Sequence, residues 1–192
     1  MKHLLRLLLI AGLLAAGLPA RAASIAGVTF AERTRVAEAD LVLNGVGVRQ
    51  VAWLKGYAAA LYLARKAGTA DAALAVAGPK RIRLHLLIEV EAKEFAKAVD
   101  KGMRRNHTPS ALAALKPRIA QFDAQILALK VLRKGEVVDL DFVPGTGLVL
   151  LRNGKPQGTP LSGDDLYAGL MKIFIGDDPV DDALKAGLLG GT

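Results

Sequence analysis

Apolar and polar positions alternate with a period of two through much of the first half of the chain and with a helical period through much of the second. Ile25 to Phe30 and Val36 to Val48 read as early strands and Trp53 to Ala64 as a long buried one. Arg81 to Val90 is the next, with Ile82, Leu84, Leu86 and Ile88 alternating against Arg81, Arg83, His85 and Leu87 after a turn at Gly78-Pro79. Asp71 to Ala77 is a short alanine-rich helix candidate. From Glu91 the period changes: Phe95, Val99 and Met103, with Ala98 and Gly102, form one stripe, and Lys93, Lys97 and Lys101 another, which predicts an amphipathic helix with a basic outer face. After a loop at Asn106 to Pro109, Ser110 is placed to cap the next helical segment, and Pro117 is expected to start a further helix, reaching about Leu129, rather than to kink one. Glu136 to Val143 and Gly147 to Arg152 read as strands joined at Pro144-Gly145-Thr146, and Asn153-Gly154 is a type I′ hairpin signal. Asp164 or Ser162 opens a helix that Gly176 ends after Ile175, and Val180 to Leu189 is a last short helix. The expected class is α+β, not an alternating βαβ chain.

Residues 1–22 follow neither period. Lys2 and Arg6 precede an apolar run from Leu7 to Leu18, and Ala20-Arg21-Ala22 stands before Ala23. This predicts a cleavable signal peptide, one domain over 23–192 and a periplasmic or secreted location, the alternative being a retained N-terminal anchor. There is no cysteine, so an exported domain would rest on its core without disulfides. Cleavage would remove Lys2, Arg6 and Arg21 from a chain of formal charge +8. The remaining excess is moderate and scattered, and with aromatic residues at 5% no basic and aromatic stretch resembles a nucleic-acid platform. Nucleic acid is therefore not an expected partner, whereas weak contact with an anionic membrane surface is compatible with the charge.

Few residues point to catalysis. His85 and His107 are explained by a strand position and a loop, and no Ser-His-Asp, P-loop or H-E-x-x-H pattern occurs, so neither a metal nor a cofactor is called for. Asp139 and Asp141 share a strand face, and Asp177, Asp178, Asp181 and Asp182 surround a helix start, where acids favour the dipole. The unusual position is Arg49. It interrupts a long apolar run from Asn44 to Ala64, and a guanidinium in such surroundings either reaches water, pairs with a carboxylate such as Asp141 or Glu89, or binds an anion.

Asn44-Gly45-Val46-Gly47-Val48-Arg49, Lys55-Gly56-Tyr57 with Leu61-Tyr62-Leu63, Gly78-Pro79-Lys80-Arg81, Asp139 to Gly147, and Ile175-Gly176-Asp177 with Leu184-Lys185 occur here in order. Together they resemble the chalcone isomerase-like family, and within it the secreted bacterial members. The resemblance spans nearly all of residues 23–192. It implies the chalcone isomerase fold, a large, mainly antiparallel sheet with a layer of helices on one face and a ligand cleft between them.

The family includes plant isomerases, which close a chalcone to a flavanone, and non-catalytic members that bind fatty acids or assist other enzymes. In the isomerases an arginine, a strand threonine, a tyrosine, an asparagine and a late-helix hydroxyl arrange substrate and water. Aligned motif by motif, these positions fall on Arg49, Tyr57, Phe95, Gly102 and Ile173. Only the arginine is kept. Phe95 and Ile173 offer no hydrogen bond and Gly102 has no side chain, so the cyclisation would lack its polar partners. What remains suits a ligand with an anionic end and an apolar body, such as a fatty acid, with Arg49 and Tyr57 meeting its carboxylate as the fatty-acid-binding relatives do. On one straight strand, however, Arg49 and Tyr57 would lie roughly 26 Å apart, so a bulge or turn must intervene.

Three functions follow. A carrier or sensor of an amphipathic anionic small molecule requires an open apolar cavity that reaches Arg49. An isomerase of another substrate, with Tyr57 as acid or base, requires added polar groups there. A protein that acts through its surface on a partner requires a cleft filled by its own side chains.

Overall fold

The structure, a computed structural model, describes residues 22–191. Apart from Ala22, the expected signal segment lies outside the described residues, as does Thr192. The strands are β1 (Ala23–Ile25), β2 (Val28–Phe30), β3 (Arg33–Val36), β4 (Ala39–Val51), β5 (Leu54–Leu63), β6 (Lys80–Leu86), β7 (Val90–Glu91), β8 (Val131–Leu132), β9 (Val137–Val143), β10 (Gly147–Arg152) and β11 (Lys155–Pro156). The helices are α1 (Ala70–Ala75), α2 (Ala92–Arg105), α3 (Pro109–Ala128), α4 (Asp164–Ile175) and α5 (Asp182–Leu188). Seven strands form one antiparallel sheet in the order β11-β10-β9-β6-β5-β4-β3, and β1 with β2 and β7 with β8 make two small ladders.

Strand alternation assigns the two faces. Ala59, Leu61 and Leu63 of β5, Ile82, Leu84 and Leu86 of β6, and Val138, Leu140 and Phe142 of β9 join one core with helix residues such as Val99, Met103, Leu170, Ile173 and Phe174. On the opposite face Ala58, Ala60 and Tyr62 pack with Val28, Phe30 and Leu41, and the Tyr62 hydroxyl donates to the Ala31 carbonyl. Arg81 and Arg83 of β6 also lie on this second face. Arg81 grips Asp141 at 2.6 and 2.5 Å, and Arg83 grips Asp139 at 2.7 and 2.9 Å, each pair being direct cross-strand neighbours. Asp139 and Asp141 are buried, so these bidentate pairs satisfy charges that would otherwise be costly.

Several expectations need correction, and each has a local cause. Ile25 to Phe30 is a hairpin, since Ala26 and Gly27 take left-handed φ values of 50° and 78°. Val36 to Val48 likewise contains a turn, with Ala37 at φ 50°, that separates β3 from β4. The strand expected over Arg81 to Val90 stops at Leu86, and Val90 pairs instead with Leu132. The cap of α3 is Thr108, whose hydroxyl accepts from the Ala111 amide, rather than Ser110, with Pro109 suited to the first turn. Pro117 starts no new helix, because α3 runs through it unbroken. Pro117 and the Ala113 position one turn earlier are both exposed, so water can take the carbonyl that the missing N–H leaves free. The helix expected from Asp164 or Ser162 does open at Asp164, and its cap is Gly163, at φ 105°.

Candidate functional site

Where Arg49 points is decided five residues before it. Leu41 and Leu43 face the β1–β2 side of the sheet, and simple alternation would send Arg49 there too. Instead the β4 register shifts between Leu43 and Gly45, leaving Asn44 as the extra residue of a bulge. The Asn44 side chain is buried and fully used: its amide donates to the carbonyls of Ala67 (3.0 Å) and Leu188 (2.7 Å), and its oxygen accepts from the Ala67 amide (2.7 Å). Beyond the bulge, Gly45, Gly47 and Arg49 face the helices, while Val46 and Val48 pack on the other side.

The glycine spacing is what lets α5 lie directly on β4. A Cβ at Gly45 would overlap the Gly187 carbonyl oxygen, and one at Gly47 would stand 2.8 Å from that of Leu184. Gly187 is equally constrained by the Val46 carbonyl. This contact carries Asp181, the cap of α5, to Arg49. Asp181 accepts from the Leu184 amide at 2.9 Å, from the Gln50 amide at 3.3 Å, and from Arg49 Nη1 at 3.2 Å. Partial burial disfavours its charge, yet the two amides and the guanidinium together hold its carboxyl below the ordinary aspartate range. Arg49 is thus paired, but with Asp181 and not with Asp141, which Arg81 occupies, or with Glu89. The same Nη1 also donates to the Gln50 carbonyl at 2.5 Å. Nε and Nη2 donate to none of the described residues, which leaves one two-pronged edge of the guanidinium unused.

A tight hairpin and a second bulge solve the distance problem between Arg49 and Tyr57. The chain reverses at Ala52-Trp53, with Ala52 at φ 51°, and a register shift at Gly56 makes Arg49 and Tyr57 direct cross-strand partners. Their side chains therefore start about 5 Å apart on the same face. The Tyr57 hydroxyl bonds to none of the described residues. Burial pushes its pKa well above the ordinary phenol value, an effect the Arg49 charge reduces and Asp181 reinforces, so it stays a neutral O–H donor at physiological pH.

Arg49, Tyr57 and Phe95 line one cavity of about 150 Å³. Leu84, Leu86 and Val138 of the sheet and Val90, Ala98 and Leu132 give it apolar walls, and Glu94 is its other charged residue. A cavity of this size and lining accommodates about a benzene-sized body. Gly102 and Ile173 do not line it. A Cβ at Gly102 would stand 2.6 Å from Ile173 Cγ2, so these two positions close α2 onto α4 inside the core. Sequence reasoning missed Asp181 as a partner of Arg49: its only local sign was a place before a helix, and the two are 132 positions apart. Trp53, read as the start of a long buried strand, is 87% exposed at the hairpin apex, one residue before β5 begins.

The chalcone isomerase-like family model matches residues 22–190. Among solved structures, the crystal structure of an Arabidopsis thaliana fatty-acid binding protein superposes with a TM-score of 0.65 over 88% of this chain and 96% of that one, at 16% identity, a likeness of fold. No curated protein matches the chain. A match over nearly all the described residues, with the sheet, helix layer and cleft it implies, places this chain in the chalcone isomerase-like family.

Proposed function

We propose that this protein is an exported, non-catalytic binder of an amphipathic anionic small molecule of the fatty-acid type, whose carboxylate meets Arg49 and Tyr57. The observation that carries the reading is that Arg49 and Tyr57, direct cross-strand partners, line one apolar cavity, the guanidinium being fixed through Nη1 with its Nε and Nη2 edge unused. That edge fits both oxygens of a carboxylate, the neutral Tyr57 hydroxyl can donate to one of them, and the apolar walls take the body. The fatty-acid binding of the Arabidopsis protein with the same fold supports this choice. A phenol whose pKa is raised by burial is a poor base at neutral pH, which weighs against a base role for Tyr57 in an isomerase. In a cavity of about 150 Å³ the first part of an acyl chain fits, and a long chain requires Phe95 to turn aside.

We also propose that the hairpin apex gives a weak contact with anionic lipid. Val51, Trp53 and Leu54 are three of the four exposed large apolar side chains among the described residues, and they adjoin Gly56 and Tyr57 of the cavity wall. Lys55 is exposed beside them, and Arg133 and Lys134 lie at the same sheet end, because the Gly135 amide donates to Leu86 and the Leu87 amide to Gly56. An amphipathic Trp with nearby cations suits a lipid headgroup region.

Equilibrium titration of the mature protein with octanoate and with octanamide tests the main reading. Octanoate should bind and lose at least about tenfold in affinity in Arg49→Ala, while octanamide should bind weakly to both. Equal binding of acid and amide would remove the carboxylate from the account.

A further inference from the structure

A second cavity lies at the other end of β6, about 20 Å along the strand from Leu86, and it contains a lysine without a partner. Its volume is about 340 Å³, and its walls include Leu74 of α1, Phe142 and Pro144 at the end of β9, and Tyr167 and Met171 of α4. Lys80 shares the face of Ile82 and Leu84, so alternation turns its side chain toward the helices rather than toward the arginine and aspartate pairs of the opposite face. The residue is only 6% exposed. Its Nζ lies 5.3 Å from the centre of the Phe142 ring, its direct cross-strand partner, and that ring packs against Tyr167 with centroids 5.2 Å apart.

The stem of Lys80 is buried while its ammonium reaches the open space of the cavity. Among the described residues Lys80 donates no hydrogen bond and makes no ion pair. Asp164, exposed on the cavity's wall, influences it only through space. Burial lowers the pKa of Lys80, and the Asp164 charge offsets this in part. The ring face of Phe142 supplies some attraction but no acceptor in line with an N–H.

We propose that this cavity is a second ligand site, for a small monoanion with a short apolar body, in which Lys80 Nζ takes the anionic group and the body lies against Phe142, Leu74 and Met171. The ligand supplies the acceptor that the protein does not. The volume lies within the range of small-molecule sites, and the lining has the composition such sites show: mostly apolar, with one convergent charge. Asp164 sets a limit on charge, since a dianion would meet its carboxylate as well as Lys80. This site shares no residue with the Arg49 cavity and does not depend on the reading given to that one.

The test uses hexanoate and hexanamide as probes of the mature protein, with the methyl resonance of Met171 as a local reporter. Hexanoate should shift that resonance saturably in wild type and in Arg49→Ala, and hexanamide should need at least about tenfold higher concentration for the same shift. Lys80→Met should abolish the response, with a thermal melt of the ligand-free protein showing that the variant is folded. A Met171 resonance that ignores hexanoate, or answers acid and amide alike in the wild type, overturns the proposal without recourse to any variant. So does a folded Lys80→Met protein that binds hexanoate as the wild type does.

Discussion

Asp181 caps α5 through the Leu184 amide and receives Arg49 Nη1 at 3.2 Å, so one carboxylate fixes both a helix and the guanidinium beside the cavity. The pair has two consequences for an anionic ligand. It holds Arg49 in place, and it puts a negative charge near the position a carboxylate would take. Asp181→Asn separates them, because asparagine also caps helices well. We expect this variant to keep α5, lose a little stability and bind octanoate several-fold more tightly at low salt. Titration calorimetry and thermal melts of the two proteins check this.

The pH dependence follows from the lowered pKa of Asp181. A carboxyl whose pKa is lower folded than unfolded contributes stability that is fully present above the unfolded value of about 3.9 and is lost as pH falls through the folded value. The stability gap between wild type and Asp181→Asn should thus be constant from neutral pH to about pH 5 and should close below about pH 4. Urea unfolding of both proteins across this range measures it. A gap that grows on acidification would contradict the assigned ion pair.

Gly45 and Gly47 are needed for close approach of α5. Gly45→Ala should cost about 1–3 kcal/mol, and Gly47→Ala less, because the added methyl meets backbone more closely at Gly45. In both, displacement of α5 should also loosen Arg49 through Asp181. Urea midpoints order the two variants, and octanoate affinity reports the effect on Arg49.

Phe95 bounds the cavity and is partly buried, so its truncation should lengthen the space for an acyl body at a cost of about 1–3 kcal/mol in stability. Phe95→Ala should favour dodecanoate over hexanoate more strongly than wild type does. Competition titrations with the two acids give the ratio.

Trp53→Ala tests the lipid contact. The side chain is exposed, so melting temperature and octanoate affinity should stay as they are. Binding to vesicles of phosphatidylglycerol should fall by about 1–2 kcal/mol, roughly tenfold, judged from the apolar area of one indole. Co-flotation with such vesicles is the readout.

The α+β class, the helical stripe of Phe95, Val99 and Met103 and the Asn153-Gly154 hairpin were legible in the sequence because each is written in local periodicity or turn chemistry. Arg49 was conspicuous for the same reason, as a charge in an apolar run. Its orientation was not legible. The Asn44 bulge that turns it toward the helices is held by carbonyls at Ala67 and Leu188, and its partner Asp181 arrives only through α5, so both depend on contacts far along the chain. Gly102 and Ile173 show the limit of position matching: the motif alignment placed them with the site, yet each fills space against the other. Lys80 was hidden by its neighbours, since one lysine beside Arg81 and Arg83 looks like another surface cation until the fold puts it on the core face.

Native mass spectrometry of the protein purified from cells, followed by denaturation and identification of what it releases, tests the central claim most directly. The account predicts a carboxylic acid with an apolar body bound to the wild-type protein and absent from Arg49→Ala. A wild-type protein that is empty and takes up no added fatty acid, or one whose bound acid survives the loss of Arg49, would contradict it.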